Sequence, residues 1–267
     1  MPCQVVFGGL SNNISFVSHD RLLLGEGLFE TIKIVNGEPC YADLHWQRLK
    51  QSADFLEIPF NLSLTEWVDK LLLYIKSIAL NNGGIKAVLS GGSGERGLNA
   101  KGKTPYLFLE AFSYQPNYSA VILTQAPWLR DSSNPVYKIK SINYLEAIMA
   151  SRYAKEKRVD DVLFFNLDQF ALETTIANFF LIIDGQLVTP SLTCNILPGI
   201  TRSRILAICQ QLNKPCIETN VSKSMLAQAE AAFICNTLQT IRPVKALDEF
   251  HYCEQHPLLK ELIKLVA

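Results

Sequence analysis

Hydrophobic and polar positions repeat with both strand-like and helix-like spacing along this chain, which predicts a mixed α/β fold. In the first 113 residues, runs rich in apolar residues predict strands at 5–8, 30–35, 85–90 and 106–112. Asn36-Gly37 directly follows the second run and is a strong signal for a two-residue hairpin turn. A hairpin is therefore expected early in the chain.

Two helices are predicted between these strands. Asp43 can cap the first helix, whose buried stripe would contain Trp46, Leu49, Ala53 and Leu56. Arg48 would then lie off this stripe, on the exposed side. Ser63 and Glu66 have the spacing of a capping box at the start of the second helix. That helix would end at residues 82–84, Asn-Gly-Gly, and would bury Trp67, Leu71, Tyr74 and Ile78.

Polar residues interrupt the apolar pattern at 113–119 and indicate an interdomain linker. We place a small N-terminal domain at residues 1–113, the linker at 114–119 and a larger domain at 120–267. The larger domain is expected to contain a strand at 120–125 and hairpins that turn at 168–169 and 184–185. It should also contain a helix that carries Ile142, Leu145, Met149 and Tyr153 on one side.

Composition narrows the class of protein. The 267 residues include 25 Lys and Arg against 25 Asp and Glu, so charge gives no reason to expect a nucleic-acid or membrane partner. No apolar run is long enough for a membrane span and the first residues lack the basic start of a signal peptide, so we expect a soluble, cytoplasmic protein. The seven cysteines and four histidines show no metal-ligand spacing; the cysteines are expected to be reduced and no metal site is predicted.

The candidate chemistry lies in a lysine and a glutamate about one supersecondary unit apart. Lys140 heads the run Lys-Ser-Ile-Asn-Tyr-Leu, and Glu173 heads Glu-Thr-Thr-Ile-Ala-Asn. A lysine amine can form a Schiff base with pyridoxal phosphate, and a buried carboxylate can keep its pyridine nitrogen protonated. A lysine and a glutamate at this separation are also compatible with two solvated surface charges. Lys138 is a competing lysine, because alternate residues of a strand share a face.

A phosphate group could bind at the helix that follows Pro198-Gly199. Apolar residues at helical spacing place Gly199 to Thr201 in its first turn, where free N–H groups and the helix dipole attract anions. An ordinary Pro-Gly turn before a helix explains the same pattern. Thr237, at the end of the apolar run that begins at Phe233, offers a hydroxyl for a second phosphate contact.

Together these segments resemble the fold-type IV pyridoxal-phosphate enzymes, which include branched-chain and D-amino acid aminotransferases and 4-amino-4-deoxychorismate lyases. The resemblance spans nearly the whole chain, through residues 25–31, 45–49, 140–145, 173–178, 197–202 and 236–244. It implies a two-domain α/β enzyme with a barrel-like sheet in its larger C-terminal domain, pyridoxal 5'-phosphate in the cleft between domains, and a homodimer.

The resemblance also implies roles for individual residues. Lys140 would be the Schiff-base lysine and Glu173 the partner of the pyridine nitrogen. Further cofactor contacts are expected from Arg48, Ile200, Thr201, Thr237, Tyr144, Asn178 and Asn236. Substrate contacts are expected from Phe29, Arg96 and Leu238.

The reaction implied is the conversion of 4-amino-4-deoxychorismate, a small amine, to 4-aminobenzoate and pyruvate, a step of folate biosynthesis. The short chain, the segment 233–238 and Gly91, at a position where many relatives have an arginine, favour this lyase. An aminotransferase of the same fold is the first alternative. A protein that binds the cofactor without catalysis is the second, and the intact Lys140 and Glu173 argue against it.

Overall fold

A computed structural model describes residues 3–7, 20–214 and 216–266. These residues form two compact units. The first unit extends to Gln115 and also includes Ile139–Asn143, whereas the second contains Pro116–Lys138 and the chain from Tyr144 onward. The prediction assigned residues 139–143 to the second domain, which is wrong. Ile139 packs against the hydrophobic core of the first unit, which explains why residues 139–143 belong to that unit.

The first unit is built on an antiparallel sheet that two helices cover. Its strands are β1 (Cys3–Phe7), β2 (Gly27–Val35), β3 (Glu38–Pro39), β4 (Gly83–Ser90) and β5 (Leu107–Phe112). Its helices are α1 (Ala42–Phe55) and α2 (Leu64–Ser77). The strand order is β1-β5-β4-β2-β3, so β2 and β4 lie next to each other inside the sheet. Gly8, the last residue of the first predicted strand, lies outside the described residues.

Two local predictions in this unit are confirmed. Asn36 and Gly37 both have positive φ, of 51° and 77°, and they connect β2 to β3 as the hairpin turn requires. The Ser63 side chain accepts a hydrogen bond from the backbone N–H of Glu66, and the Glu66 side chain accepts one from the backbone N–H of Ser63. This reciprocal pair fixes the start of α2.

Two helix ends differ from prediction. The N-cap of α1 is Tyr41, which makes no side-chain cap hydrogen bond, and Asp43 lies in the first turn instead. Helix α2 ends at Ser77, so it does not reach residues 82–84. Gly83 and Gly84 are the first residues of β4. Gly84 of β4 pairs with Phe112 of β5, and a Cβ atom on Gly84 would come within 2.3 Å of the Phe112 ring. A side chain larger than that of glycine therefore does not fit at this point of β4.

The second unit contains a larger sheet with helices packed around it. Its strands are β6 (Val121–Gln125), β7 (Asp161–Phe165), β8 (Ala171–Thr174), β9 (Asn178–Ile183), β10 (Gln186–Pro190), β11 (Cys216–Thr219), β12 (Ala231–Asn236), β13 (Thr240–Leu247) and β14 (Phe250–His251). Its helices are α3 (Leu145–Lys157), α4 (Ile200–Gln211), α5 (Lys223–Gln228) and α6 (Pro257–Val266).

Six of these strands close into the predicted barrel-like sheet. The order β9-β12-β13-β6-β7-β8 is continuous, and β8 pairs back onto β9 through Glu173 and Asn178. The two predicted hairpins join β7 to β8 and β9 to β10. Gln169 has a positive φ of 63° in the first turn, where a glycine would adopt this conformation at lower cost.

The apolar stripe predicted for α3 is not its buried side. Leu145 and Met149 are 68% and 49% exposed, whereas Ala150 and Ala154 are buried. The two alanines pack with Phe164 of β7 and Leu172 of β8 in one hydrophobic cluster. Small side chains allow the helix to approach the sheet closely, so the buried stripe follows the alanines and not the largest apolar residues.

The described part of the chain contains no helix that is long and apolar enough to cross a membrane. Six cysteines among the described residues are free thiols. Cys235 of β12, which pairs with Asn178 of β9, is fully buried. Burial raises the pKa of the Cys235 thiol, so this group remains protonated and unreactive at neutral pH.

Candidate active site

Lys140 is held against β2 in the first unit. Its carbonyl accepts a hydrogen bond of 2.9 Å from the backbone N–H of Phe29, and the N–H of Ile142 donates to the carbonyl of Gly27 over 3.0 Å. These backbone bonds attach the lysine segment to the start of β2. The Lys140 Nζ lies 4.3 Å from the centroid of the Phe29 ring. The structure therefore places the predicted Schiff-base lysine and the predicted substrate residue Phe29 in contact.

Lys138 has a different backbone environment. Residues Pro135–Lys138 form a 3-10 turn and not a strand, so the alternation that made Lys138 equivalent to Lys140 does not apply. Lys138 is exposed and belongs to the second unit, whereas Lys140 is partly buried in the first. The structure thus separates two lysines that the sequence pattern left as competitors.

Arg48 is buried, contrary to the predicted exposed position. Its Nε and Nη2 atoms donate to the two carboxylate oxygens of Glu30 over 2.8 and 2.6 Å. The His45 Nδ1 atom lies 2.6 Å from the same carboxylate. Glu30 is on β2 and Arg48 is on α1, so the pair joins the sheet to the helix that covers it. A buried guanidinium needs such a partner, which explains why Arg48 turns inward.

The ionised form of the Glu30 carboxyl group is strongly favoured over the protonated form. Burial alone would raise the pKa of Glu30, but the charge of Arg48 and hydrogen bonds from Arg48 and His45 lower it to about 2. Burial also lowers the pKa of His45, despite the opposing effect of Glu30. His45 is therefore neutral at physiological pH, with Nδ1 as the donor to the carboxylate.

We expect Glu30→Gln to reduce the free energy of unfolding by about 3–5 kcal/mol, because it removes the carboxylate charge that pairs with the buried Arg48. Because the pKa of Glu30 is lower in the folded protein than in the unfolded chain, its ionised form stabilises the fold at pH values above the ordinary pKa of a glutamate. This stabilisation is lost as the pH falls toward about 2. Denaturant titrations of the wild type and the variant at several pH values measure both effects.

Glu57→Gln is the matched control, because Glu57 forms an exposed ion pair with Lys101. Its effect should stay below about 1 kcal/mol. Equal stability losses in the two variants would contradict the buried-pair account of Glu30.

Glu173 lies at the point where β8 meets β9 in the second unit. It is 8% exposed, and its carboxylate accepts hydrogen bonds from within this unit. Arg130 Nη1 donates over 3.2 Å, Asn178 Nδ2 over 3.3 Å and the backbone N–H of Leu197 over 3.1 Å. Asn178 also donates to the carbonyl of Leu197 over 3.0 Å. The barrel closure, the asparagine and the segment before α4 thus fix the orientation of the carboxylate.

The first turn of α4 has the features of an anion site. Its N-cap, Gly199, provides no side-chain cap, so the first N–H groups of the helix lack an intrahelical partner and a capping oxygen. Ile200 and Thr201 are each 5% exposed at this turn. A Cβ atom on Gly199 would come within 1.9 Å of Asn178 Oδ1, which shows how closely the turn packs against the residue that binds Glu173.

The turn after β12 contains three more predicted residues. The Asn236 Oδ1 atom accepts hydrogen bonds from the N–H groups of Leu238 and Gln239 over 3.1 and 2.9 Å. Asn236 therefore shapes the turn through an Asx-type interaction. Thr237, between these residues, is partly buried. These hydrogen bonds fix the backbone on which Thr237 lies, so Asn236 has a structural role.

Tyr144 and Arg96 are the two remaining predicted residues. Tyr144 is the N-cap of α3 and belongs to the second unit. Arg96 is exposed in the long connection between β4 and β5 of the first unit. Its predicted contact with substrate stays a prediction.

Sequence reasoning missed Glu30, His45, Arg130 and Glu146. Glu30 lies within the motif at residues 25–31, and a lone carboxylate in an apolar strand is a signal that a buried partner exists. Arg130 carries a comparable signal, because it follows Trp128 and Leu129. Neither signal identifies the partner.

Comparison with known proteins places these clusters in a family. Residues 27–247 match the family model described as amino-transferase class IV, and this range contains nearly all the residues described above. The chain belongs to the class IV aminotransferases. Enzymes of this family depend on pyridoxal 5'-phosphate, which is therefore the cofactor of this protein.

Individual relatives carry two kinds of names. A Methanocaldococcus jannaschii protein provisionally named branched-chain-amino-acid aminotransferase is 30% identical, with 85% of this chain and 80% of the relative covered. A Legionella pneumophila crystal structure provisionally named 4-amino-4-deoxychorismate lyase is 44% identical, covers 95% of each chain and has a TM-score of 0.93. The 4-amino-4-deoxychorismate lyase of Pseudomonas aeruginosa is 26% identical over 95% of each chain, with a TM-score of 0.82.

The residues present fit this cofactor. It requires an amine, a carboxylate for its ring nitrogen and donors for its phosphate. Lys140 would supply the amine, Glu173 is held in a fixed orientation by hydrogen bonds and would supply the carboxylate, and the first turn of α4 would supply backbone donors.

Proposed function

We propose that this protein is a lyase that converts 4-amino-4-deoxychorismate to 4-aminobenzoate and pyruvate. The 44% identity to the Legionella protein over 95% of both chains supports the proposal. Branched-chain aminotransferase names are the competing indication, and they come with the lower identity of 30%. The two reactions share the cofactor and differ in the substrate that the site accepts.

The close packing of Gly91 is the observation that carries this choice. The family resemblance implies an arginine at this position in many members, where it would bind the α-carboxylate of an amino acid. Here the N–H of Gly91 donates to the carbonyl of Glu26 over 2.8 Å, and a Cβ atom would approach that oxygen to 2.6 Å. The same Cβ atom would come within 3.1 Å of the Arg21 Cβ atom. The backbone therefore leaves no room for an arginine at residue 91.

Arg21, a buried arginine next to Gly91, is engaged in other contacts. Arg21 pairs with Glu26 and donates to the carbonyls of Gly97 and Leu98 over 3.2 and 3.3 Å. It holds the connection between β4 and β5 in place. An amino-acid carboxylate would thus lose the bidentate contact that an arginine at residue 91 gives. 4-Amino-4-deoxychorismate has its amine on a ring and its carboxylates farther away, so it does not require this contact.

The proposed chemistry assigns two proton transfers to Lys140. When bound, pyridoxal phosphate withdraws electrons from the carbon that carries the substrate amine. The Lys140 amine takes the proton from that carbon as a general base. The bond between the ring and the enolpyruvyl oxygen breaks and the ring becomes aromatic. Lys140 returns a proton to the methylene carbon of the departing enolpyruvate, which leaves as pyruvate.

The unit that contains Glu173 has the complementary role. Its carboxylate, oriented by Asn178 and the N–H of Leu197, binds the protonated ring nitrogen of the cofactor. The N–H groups of Ile200 and Thr201 and the hydroxyl of Thr237 would bind the phosphate. The phosphate contact expected of Arg48 stays a prediction, because its guanidinium pairs with Glu30. Phe29 forms an apolar wall beside Lys140.

The test is a product assay with enzymatically generated 4-amino-4-deoxychorismate. We expect formation of 4-aminobenzoate and pyruvate in equal amounts, faster than transamination of leucine, alanine or glutamate of either configuration. Rapid transamination of any of these amino acids without 4-aminobenzoate formation would identify an aminotransferase. A purified protein without cofactor and without either activity would support the noncatalytic alternative.

A further inference from the structure

Arg130 connects two carboxylates in the second unit. Its Nη1 atom donates to Glu173 over 3.2 Å, while Nε and Nη2 donate to Glu146 of α3 over 3.0 and 2.9 Å. The guanidinium carbon lies 3.5 Å from the centroid of the Phe164 ring and 4.6 Å from that of Tyr137. Arg130 is 6% exposed, so its position is fixed by two aromatic rings and two ion pairs.

Glu146 is fixed as firmly as the arginine. Its second carboxylate oxygen accepts a hydrogen bond of 3.0 Å from Trp128 Nε1. Both oxygens of Glu146 are thus engaged by donors that start from the same short segment, because Trp128 and Arg130 are two positions apart. The side chain is 29% exposed, so solvent screens it only partly.

Two carboxylates share one guanidinium in this cluster. Glu146 and Glu173 together carry two negative charges and Arg130 carries one positive charge. Tyr137, the other titratable group against the guanidinium, stays neutral because burial and the charge of Glu146 raise its pKa. Arg130 is therefore shared between the two carboxylates, and Glu146 takes up part of the positive charge that would otherwise act on Glu173.

We infer that Glu146 is a positioning residue that neutralises Arg130, so that Arg130 orients Glu173 without cancelling its charge toward the ring nitrogen of the cofactor. Without Glu146, the guanidinium would act on Glu173 alone, and the carboxylate would stabilise a protonated ring less well. The inference rests on the proposed role of Glu173, but it holds for a lyase and for an aminotransferase alike.

The experiment measures the protonation of the ring nitrogen directly. Holoenzyme is prepared with pyridoxal phosphate labelled with 15N in the ring, and the nitrogen chemical shift is followed across the pH range in which the protein stays folded. Glu146→Gln keeps the shape of the side chain and removes its charge. We expect the ratio of protonated to unprotonated nitrogen to fall by about tenfold at a given pH, and cofactor affinity to fall several-fold.

Trp128→Phe is the matched control, because it removes one hydrogen bond to Glu146 and leaves its charge. We expect an unchanged nitrogen signal, together with a modest loss of stability of about 1 kcal/mol. If Glu146 only anchors α3, both variants will lose stability and neither will move the nitrogen signal. That result would overturn the inference.

Glu173→Gln separates this inference from the proposal on which it rests. If Glu173→Gln moves the nitrogen signal toward the unprotonated form and Glu146→Gln does not, only the role of Glu146 is wrong. If Glu173→Gln itself leaves the signal unchanged, Glu173 is not the partner of the ring nitrogen, and the inference fails with it.

Discussion

Lys140→Ala should abolish covalent attachment of the cofactor and lower turnover by about 10⁴-fold or more, because it removes both the attachment amine and the proposed general base. In the wild type, borohydride reduction should fix the visible absorption band to the peptide that contains Lys140. Absorption spectroscopy, peptide mapping by mass spectrometry and the product assay measure these effects.

The matched control is Lys138→Ala, which removes an exposed lysine two residues away. It should retain the absorption band and nearly normal turnover. Mapping of the reduced adduct to Lys138, or loss of the band in Lys138→Ala but not in Lys140→Ala, would show that the attachment lysine is assigned wrongly. The contact of Lys140 with Phe29 would then need another explanation.

Glu173→Gln should lower turnover by about 10²–10³-fold, while the cofactor dissociation constant rises by no more than about tenfold. Glutamine keeps the size of the side chain but lacks the charge that stabilises a protonated ring nitrogen. We expect the variant to fold, because Arg130 keeps its ion pair with Glu146. Steady-state kinetics and cofactor titration of the apoprotein measure the two quantities separately.

Glu249→Gln is a suitable control, because Glu249 is an exposed glutamate of the same unit. It should leave both quantities unchanged. Near-normal turnover of Glu173→Gln would show that its carboxylate does not bind the ring nitrogen, and a variant that no longer folds would show that its main role is to hold the barrel closure.

Several elements of the fold were predictable because their signals are local. The hairpin at Asn36-Gly37 depends on backbone conformations that these two residues adopt at low cost. The capping box of Ser63 and Glu66 involves atoms three residues apart. The start of α4 after Gly199 is likewise encoded within one turn. Each of these predictions requires only the residues of the element itself.

Helix orientation needed information from elsewhere in the chain. The sequence pattern favoured Leu145 and Met149 for the buried side of α3, but Ala150 and Ala154 face Phe164 and the sheet. Periodicity gives the spacing of a buried stripe and not the depth of the surface it meets. That depth depends on β7 and β8, which follow the helix in the sequence.

The same difference in range explains the site. The sequence by itself identified Lys140 and Glu173 as the candidate amine and carboxylate for the cofactor, because the motifs around them are short and follow one another in order along the chain. Only the tertiary structure decided that residues 139–143 return to the first unit, that Arg48 is buried against Glu30, 18 positions away, and that Arg130 joins Glu146 to Glu173 across 43 positions. A buried charge must find an opposite charge, but pairing at such separations is set by how strands and helices pack, and no local pattern encodes it.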